Sequence, residues 1–160
     1  MIILGIDPGI AITGYAILSK EKDDISIISS GSIRTDKNKS QADRLVELYG
    51  DISEIVKTYK PDIASIEQLF YFKNLKTVIP VAQARGIIVM ALAQNNIPVA
   101  EYTPLQVKQT ITGFGRATKD EVKQMTQLAL NCPMPKLDDT VDAIAIALCH
   151  LRTASDNNIY

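Results

Sequence analysis

The chain alternates between short β-branched stretches and longer segments with helical spacing. Met1–Ile6, Tyr15–Leu18 and Ile25–Ile33 are apolar runs punctuated by glycines and polar residues, and they predict a hairpin-connected set of three antiparallel strands, with Gly9 and Gly14 bracketing the first turn. Ser40 with Asp43 then opens a helix whose apolar positions Leu45, Leu48, Ile52, Ile55 and Val56 keep helical spacing up to Pro61. A buried strand follows at Ile63–Ile66, a long helix at Lys76–Asn95 despite Pro80 and Gly86, and a short strand at Pro98–Tyr102. Pro104 starts a helix reaching Ile111, the capping box Thr118-Lys119-Asp120-Glu121 launches another to Leu130, and a last helix covers Asp139–Arg152. This order predicts an α/β fold: a five-stranded mixed sheet flanked by helices, in a single domain over residues 1–160.

In sheets of this kind, functional groups collect at strand ends and neighbouring helix starts. Acids stand at those places. Asp7 ends the run Ile3-Leu4-Gly5-Ile6, Glu67 ends Ile63-Ala64-Ser65-Ile66, and Asp138, Asp139 and Asp142 open a helix that is apolar on nearly every face. Asp139 and Asp142 are three residues apart and so share a helix face. Each acid also has a plainer use: Asp7 before Pro8-Gly9 as a turn former, Glu67 as the partner of a lysine, Asp139 as an N-cap and Asp142 as a first-turn acid. Those readings treat the acids one by one and give no reason for all of them to occupy the edge of one core. Gathering carboxylates there costs about 4 kcal/mol per pair at 4 Å with an effective dielectric near 20, so the pattern points to a bound divalent cation.

Composition narrows the setting. At 160 residues, 46% hydrophobic and 22% charged, the chain has the makeup of a globular domain with a real core. Asp7 and Pro8 cut the N-terminal apolar run too early for a signal sequence, and Ala143–Leu148 is too short to span a bilayer. Cys132 and Cys149 form no ligand cluster and read as buried thiols, which predicts a cytoplasmic location. The net charge of −1 is unevenly spread. Between Lys73 and Lys119, the basic residues Lys73, Lys76, Arg85, Lys108, Arg116 and Lys119 face the single acid Glu101. A basic middle beside an acidic pocket suits a polyanion binder, although solvated helix faces would leave the same pattern.

The ordered set Gly5-Ile6-Asp7-Pro8-Gly9 with Thr13-Gly14-Tyr15, Ile66-Glu67-Gln68 with Lys73-Asn74, Gln83-Ala84-Arg85-Gly86, Tyr102 with Val107-Lys108-Gln109-Thr110, and Asp139-Thr140-Val141-Asp142-Ala143 closely resembles the RuvC-type Holliday junction endonucleases from about Ile3 to Arg152. The resemblance implies an RNase H-like fold, a homodimer, and magnesium-dependent cutting of four-way DNA junctions by paired nicks in recombination and repair. It implies Asp7, Glu67, Asp139 and Asp142 as catalytic and metal-holding carboxylates, with two magnesium ions per subunit and manganese as a substitute. Branch-migration proteins of the RuvA and RuvB type are the protein partners it suggests. Asp139 is preferred over Asp138 because the family spacing is an acid or histidine, two residues, then Asp.

DNA contacts are expected from Lys76, Lys108 and Lys119, with Arg85 either assisting or buried in structure. The run Phe70-Tyr71-Phe72 suits either packing or base stacking, and the resemblance favours Phe70 for stacking. Gly113-Phe114-Gly115 reads as a mobile connector, His150 as structural, and the small-residue helix around Ala82–Ala93 as the dimer contact. Two other classes compete. Asp7-Pro8-Gly9 with Thr13-Gly14 also looks like the first phosphate segment of the actin, Hsp70 and sugar-kinase group, whose cleft needs two lobes, and a non-catalytic junction-binding module would share the basic residues.

Overall fold

β1 (Ile2–Asp7) pairs antiparallel with β2 (Ile12–Glu21), which pairs antiparallel with β3 (Asp24–Arg34). The chain then crosses through α1 (Gln41–Tyr59) to β4 (Ile63–Glu67) and through α2 (Leu75–Gln94) to β5 (Val99–Tyr102), both parallel to β1. The sheet order is β3-β2-β1-β4-β5, the RNase H-like mixed sheet that the resemblance implies. α3 (Pro104–Thr112), α4 (Lys119–Leu130) and α5 (Asp138–Asp156) complete the chain in this computed structural model, which describes residues 1–22, 24–69 and 75–156.

Strand alternation sorts β1 between two cores. Leu4 and Ile6 face α1 and α2, joining Leu48, Ile52, Val56, Ala84, Ile88 and Leu92, while Ile3 faces the α5 side with Ala143, Ile144 and Ala147. α5 is covered by the sheet on one side and by α3 and α4 on the other, so Ala143 through Leu151 are all buried and the helix is apolar around its circumference. Each Ile or Leu so enclosed contributes about 1.5–3 kcal/mol, which fixes the register of α5 on the sheet.

The helix starts follow their side chains. Ser40 Oγ accepts from Asp43 N–H at α1, and Thr103 and Thr118 each form a full capping box, with Gln106 at α3 and Glu121 at α4. Pro80 lies inside α2 without ending it.

Beyond shifts of a residue or two at element ends, sequence and structure differ most at β2, at the far end of α5 and at Gly14. β2 is longer than Tyr15–Leu18, because β3 pairs along almost its whole length, with one irregularity between Ile17 and Leu18. α5 begins at Asp138 and continues beyond Arg152 to Asp156. Gly14 is not a turn residue: it lies within β2, opposite Asp7, and a Cβ on it would fall 1.9 Å from the Asp139 carbonyl oxygen. Its missing side chain is what admits the start of α5 against the sheet. Gly5 does the same lower down, where a Cβ would meet the Ala143 carbonyl oxygen at 2.2 Å and Ala147 Cβ at 2.7 Å. Among the described residues, no helix is long and apolar enough to cross a membrane.

Candidate active site

Parallel pairing places Ile6 beside Ile66, so the next residues, Asp7 and Glu67, leave adjacent strand ends together. Their side chains fall on the face that Ile3 and Gly5 present to α5, and the Ser65 hydroxyl on that face donates to the Ile146 carbonyl at 3.3 Å. A cleft of about 370 Å³ opens there. Asp7, Glu67 and Asp142 line it with Lys108 of α3 and Lys119 of α4, on an apolar floor of Val107, Val122 and Ile146.

The electrostatics are those of crowded, desolvated acids. Burial first, then the charges of Glu67, Asp142 and Asp139, push the Asp7 carboxyl up to about 8. Burial and Asp142 push Glu67 up to about 7, with Lys119 and Lys108 pulling the other way. Lys119 Nζ donates to Asp142 Oδ2 at 2.9 Å, and this bond with the surrounding acids raises the lysine above its ordinary range. Acids of this kind take up either protons or cations.

Asp7, Glu67, Asp139 and Asp142 are thus brought to one region, with Asp142 in the cleft and Asp139 near enough to act on Asp7 through its charge. As placed, no group of three or more His, Cys, Asp or Glu among the described residues is drawn together tightly enough to hold a single ion. The donor set itself fits a hard divalent cation: the acids are all oxygen donors, and the groups that offset them are two lysines on separate helices.

Of the predicted DNA contacts, Lys108 and Lys119 line this cleft. Arg85 does not: it pairs with Glu101 at 2.6 Å, with its Nε buried. Lys76 lies in the first turn of α2, and Phe70, with Tyr71 and Phe72, lies outside the described residues. His150 is buried and bonds through Nδ1 to the Tyr102 hydroxyl at 2.7 Å, while burial lowers its basicity, as expected of a structural histidine. Cys149 is a buried free thiol and Cys132 a half-buried one. Sequence reasoning passed over Gly14 and Gly5 as site residues. A glycine inside an apolar strand, opposite or two residues before the acid, was the available signal.

Fold and cleft together define a nuclease-type carboxylate site on an RNase H-like sheet. Residues 3–150 match the family described as Crossover junction endodeoxyribonuclease RuvC, and the chain belongs to that family. It is 50% identical over 154 residues to the protein of that name from Fusobacterium nucleatum, covering 96% of this chain and 81% of the relative. It is 46% identical over 157 residues to the one from Caldicellulosiruptor saccharolyticus, covering 97% and 95%. The solved structure of Thermus thermophilus RuvC in complex with a Holliday junction substrate superposes with a TM-score of 0.90 at 28% identity, covering 96% of this chain and 94% of that one. Family membership decides against the two-lobed nucleotide-binding class.

Proposed function

We propose that this chain binds four-way DNA junctions and resolves them by paired, symmetric nicks, hydrolysing phosphodiesters at the cleft of Asp7, Glu67 and Asp142. The observation that carries this reading is the cleft itself: three carboxylates of adjoining elements, two of them driven well above the ordinary carboxylate range, facing two lysines. Family membership supplies the reaction class and divalent-metal use. Magnesium, two ions per subunit, is the finer reading, with manganese as a substitute. Asp7, Glu67, Asp139 and Asp142 would hold them. Cations bound there supply an activated water and neutralise charge on the leaving 3′ oxygen.

The side chains do the remaining work. Lys108 and Lys119 hold backbone phosphates at the mouth of the cleft, and the apolar floor of Val107, Val122 and Ile146 keeps the carboxylates partly dry, so charges placed there act strongly. Because phosphate contacts dominate, affinity should fall steeply with salt. Lys76 and Phe70 belong to the same proposed interface. A homodimer, a cytoplasmic site of action on chromosomal junctions, a single domain over residues 1–160, and assistance by RuvA- and RuvB-type branch-migration proteins complete the reading.

The decisive experiment incubates the protein with a synthetic four-way junction, with and without magnesium. Metal-dependent nicks placed symmetrically across the junction are expected. Binding without nicking at any divalent-metal concentration would leave a junction-binding module in place of the enzyme.

A further inference from the structure

Phe114 is an exposed aromatic on the loop between α3 and α4, with 60% of its surface open to solvent. That loop is not the mobile connector its two glycines suggest. Gly113 takes a left-handed conformation (φ 79°) as the C-cap of α3, its N–H donating to the Gln109 carbonyl at 2.8 Å, and the Gln109 side-chain amide donates back to the Gly113 carbonyl at 2.8 Å. The Phe114 N–H donates to Thr112 Oγ1 at 3.1 Å, and the Phe114 carbonyl accepts from Ala117 N–H at 3.1 Å. The Leu105 side chain packs against Gly115. The backbone under the ring is pinned at both ends while the ring itself faces water.

Its surroundings indicate what it meets. Lys108 precedes the loop by about one helical turn, roughly 6 Å along the axis of α3, and Lys119 follows it at the start of α4; both line the carboxylate cleft. Arg116, two residues on, is exposed and in no ion pair among the described residues. A notch of about 220 Å³ opens beside the ring, lined also by Gln124, whose amide can both donate and accept, and by Met125. The nearby Glu121 carboxylate is engaged in capping α4, taking the Thr118 N–H at 2.7 Å. Leu105 on α3 and Met125 and Leu128 on α4 are also exposed nearby, but the basic residues Lys108, Arg116 and Lys119 flank the ring, and a protein partner held by apolar contact alone would have no use for them. An aromatic face set among cations that hold phosphates suits a nucleobase.

We infer that Phe114 stacks on an unpaired nucleobase at the crossover of a bound junction and so positions the strand entering the cleft. This rests on the proposed junction-resolving function. A fixed platform loses little freedom on binding, which is why the tethered loop matters as much as the ring.

The chain contains no tryptophan, so Phe114→Trp provides a single indole reporter. With calcium in place of magnesium, a four-way junction should quench that fluorescence, and a linear duplex of equal length should quench it much less. Phe114→Ala should weaken junction binding by about fivefold or more, leave the salt dependence of binding unchanged because no charge is lost, and raise KM more than it lowers kcat. Leu128→Ala, removing a side chain 73% exposed on the same helix pair, should change none of these. Unquenched indole in a variant shown by anisotropy to be saturated with junction would overturn the inference while leaving the proposed function standing. So would equal quenching by duplex, or wild-type affinity in Phe114→Ala. Failure of the unaltered protein to bind junctions at all would overturn both.

Discussion

Asp7 combines a strand-end position, enclosure by α5 and three acidic neighbours, and its carboxyl is the more strongly raised of the two, to about 8 against about 7 for Glu67. Replacing it with Asn removes a cation ligand and a negative charge facing phosphate while keeping the shape. Asp7→Asn should therefore lose cleavage by several orders of magnitude in a junction-nicking assay, yet bind junctions as well as or better than the parent in a gel-shift measurement. Retained cutting would sink the assignment. The same burial makes a stability prediction whose sign can be worked out. An unfolded Asp or Glu titrates near 4, so between about pH 4 and 8 the folded protein holds protons that the unfolded chain has released. The stabilisation from these two groups is full below about pH 4 and is lost as pH rises through about 7 and 8. In chelator, the Tm of the parent relative to Asp7→Asn should fall from pH 5 to pH 8 by calorimetry. Added manganese should raise the Tm more at pH 8, because a carboxylate must give up its proton to take a cation. A parent-minus-variant difference that is flat across that range would contradict the raised carboxyls. These features were legible in the sequence as acids at the ends of apolar runs. For Arg85 the sequence left a DNA contact and a structural place both open, since its pairing with Glu101 depends on how α2 and β5 come together, which no local pattern encodes.

At the scale of elements, the site depends on how closely α5 approaches the sheet. Asp139 and Asp142 come close enough to act on Asp7 through their charge because α5 lies on β1 and β2 with nothing between its backbone and theirs at Gly5 and Gly14. Adding a methyl at Gly14, 1.9 Å from the Asp139 carbonyl oxygen and 3.2 Å from Thr140 N, forces the first turn of α5 outward. Overpacking of this kind costs about 1–3 kcal/mol, so Gly14→Ala should remain folded but lower the Tm by several degrees. Cleavage should fall by far more than stability does, since the helix acids move with that turn. A Gly14→Ala protein with full activity would show that α5 need not sit where it does. Most elements were readable from pattern because their signals are local: Pro104 at the start of α3, the capping box at Thr118, helical spacing through α1, and β-branched runs in β1 and β4. Gly14 was misread as a turn residue for the complementary reason. Its role is set by a segment about 125 residues away in sequence, and only the assembled layers reveal it.

For the whole molecule, one face of α2 belongs to the core through Ala84, Ile88, Ala91 and Leu92, but the opposite face is also poor in charge. Ile79 is 61% and Met90 43% exposed, and between them Ala82 and Gly86 leave the backbone uncovered, so that a Cβ on Gly86 would meet nothing within 4 Å. Small residues at helical spacing, flanked by larger apolar ones, are what two copies of a helix need to pack closely about a two-fold axis. Such an axis would present two identical clefts to a substrate that is itself two-fold, so symmetric nicks need no signal between the sites. Met90→Glu places a charge at one end of that stripe. Light scattering should show a dimer for the parent and a monomer for the variant at micromolar concentration. On a four-way junction the variant should nick one strand at a time, with the second cut no longer coupled to the first, while each cleft retains its metal-dependent chemistry. A parent that is monomeric at working concentration yet cuts both strands within one binding event would remove the two-fold explanation, and the pairing of nicks would then have to arise within a single chain.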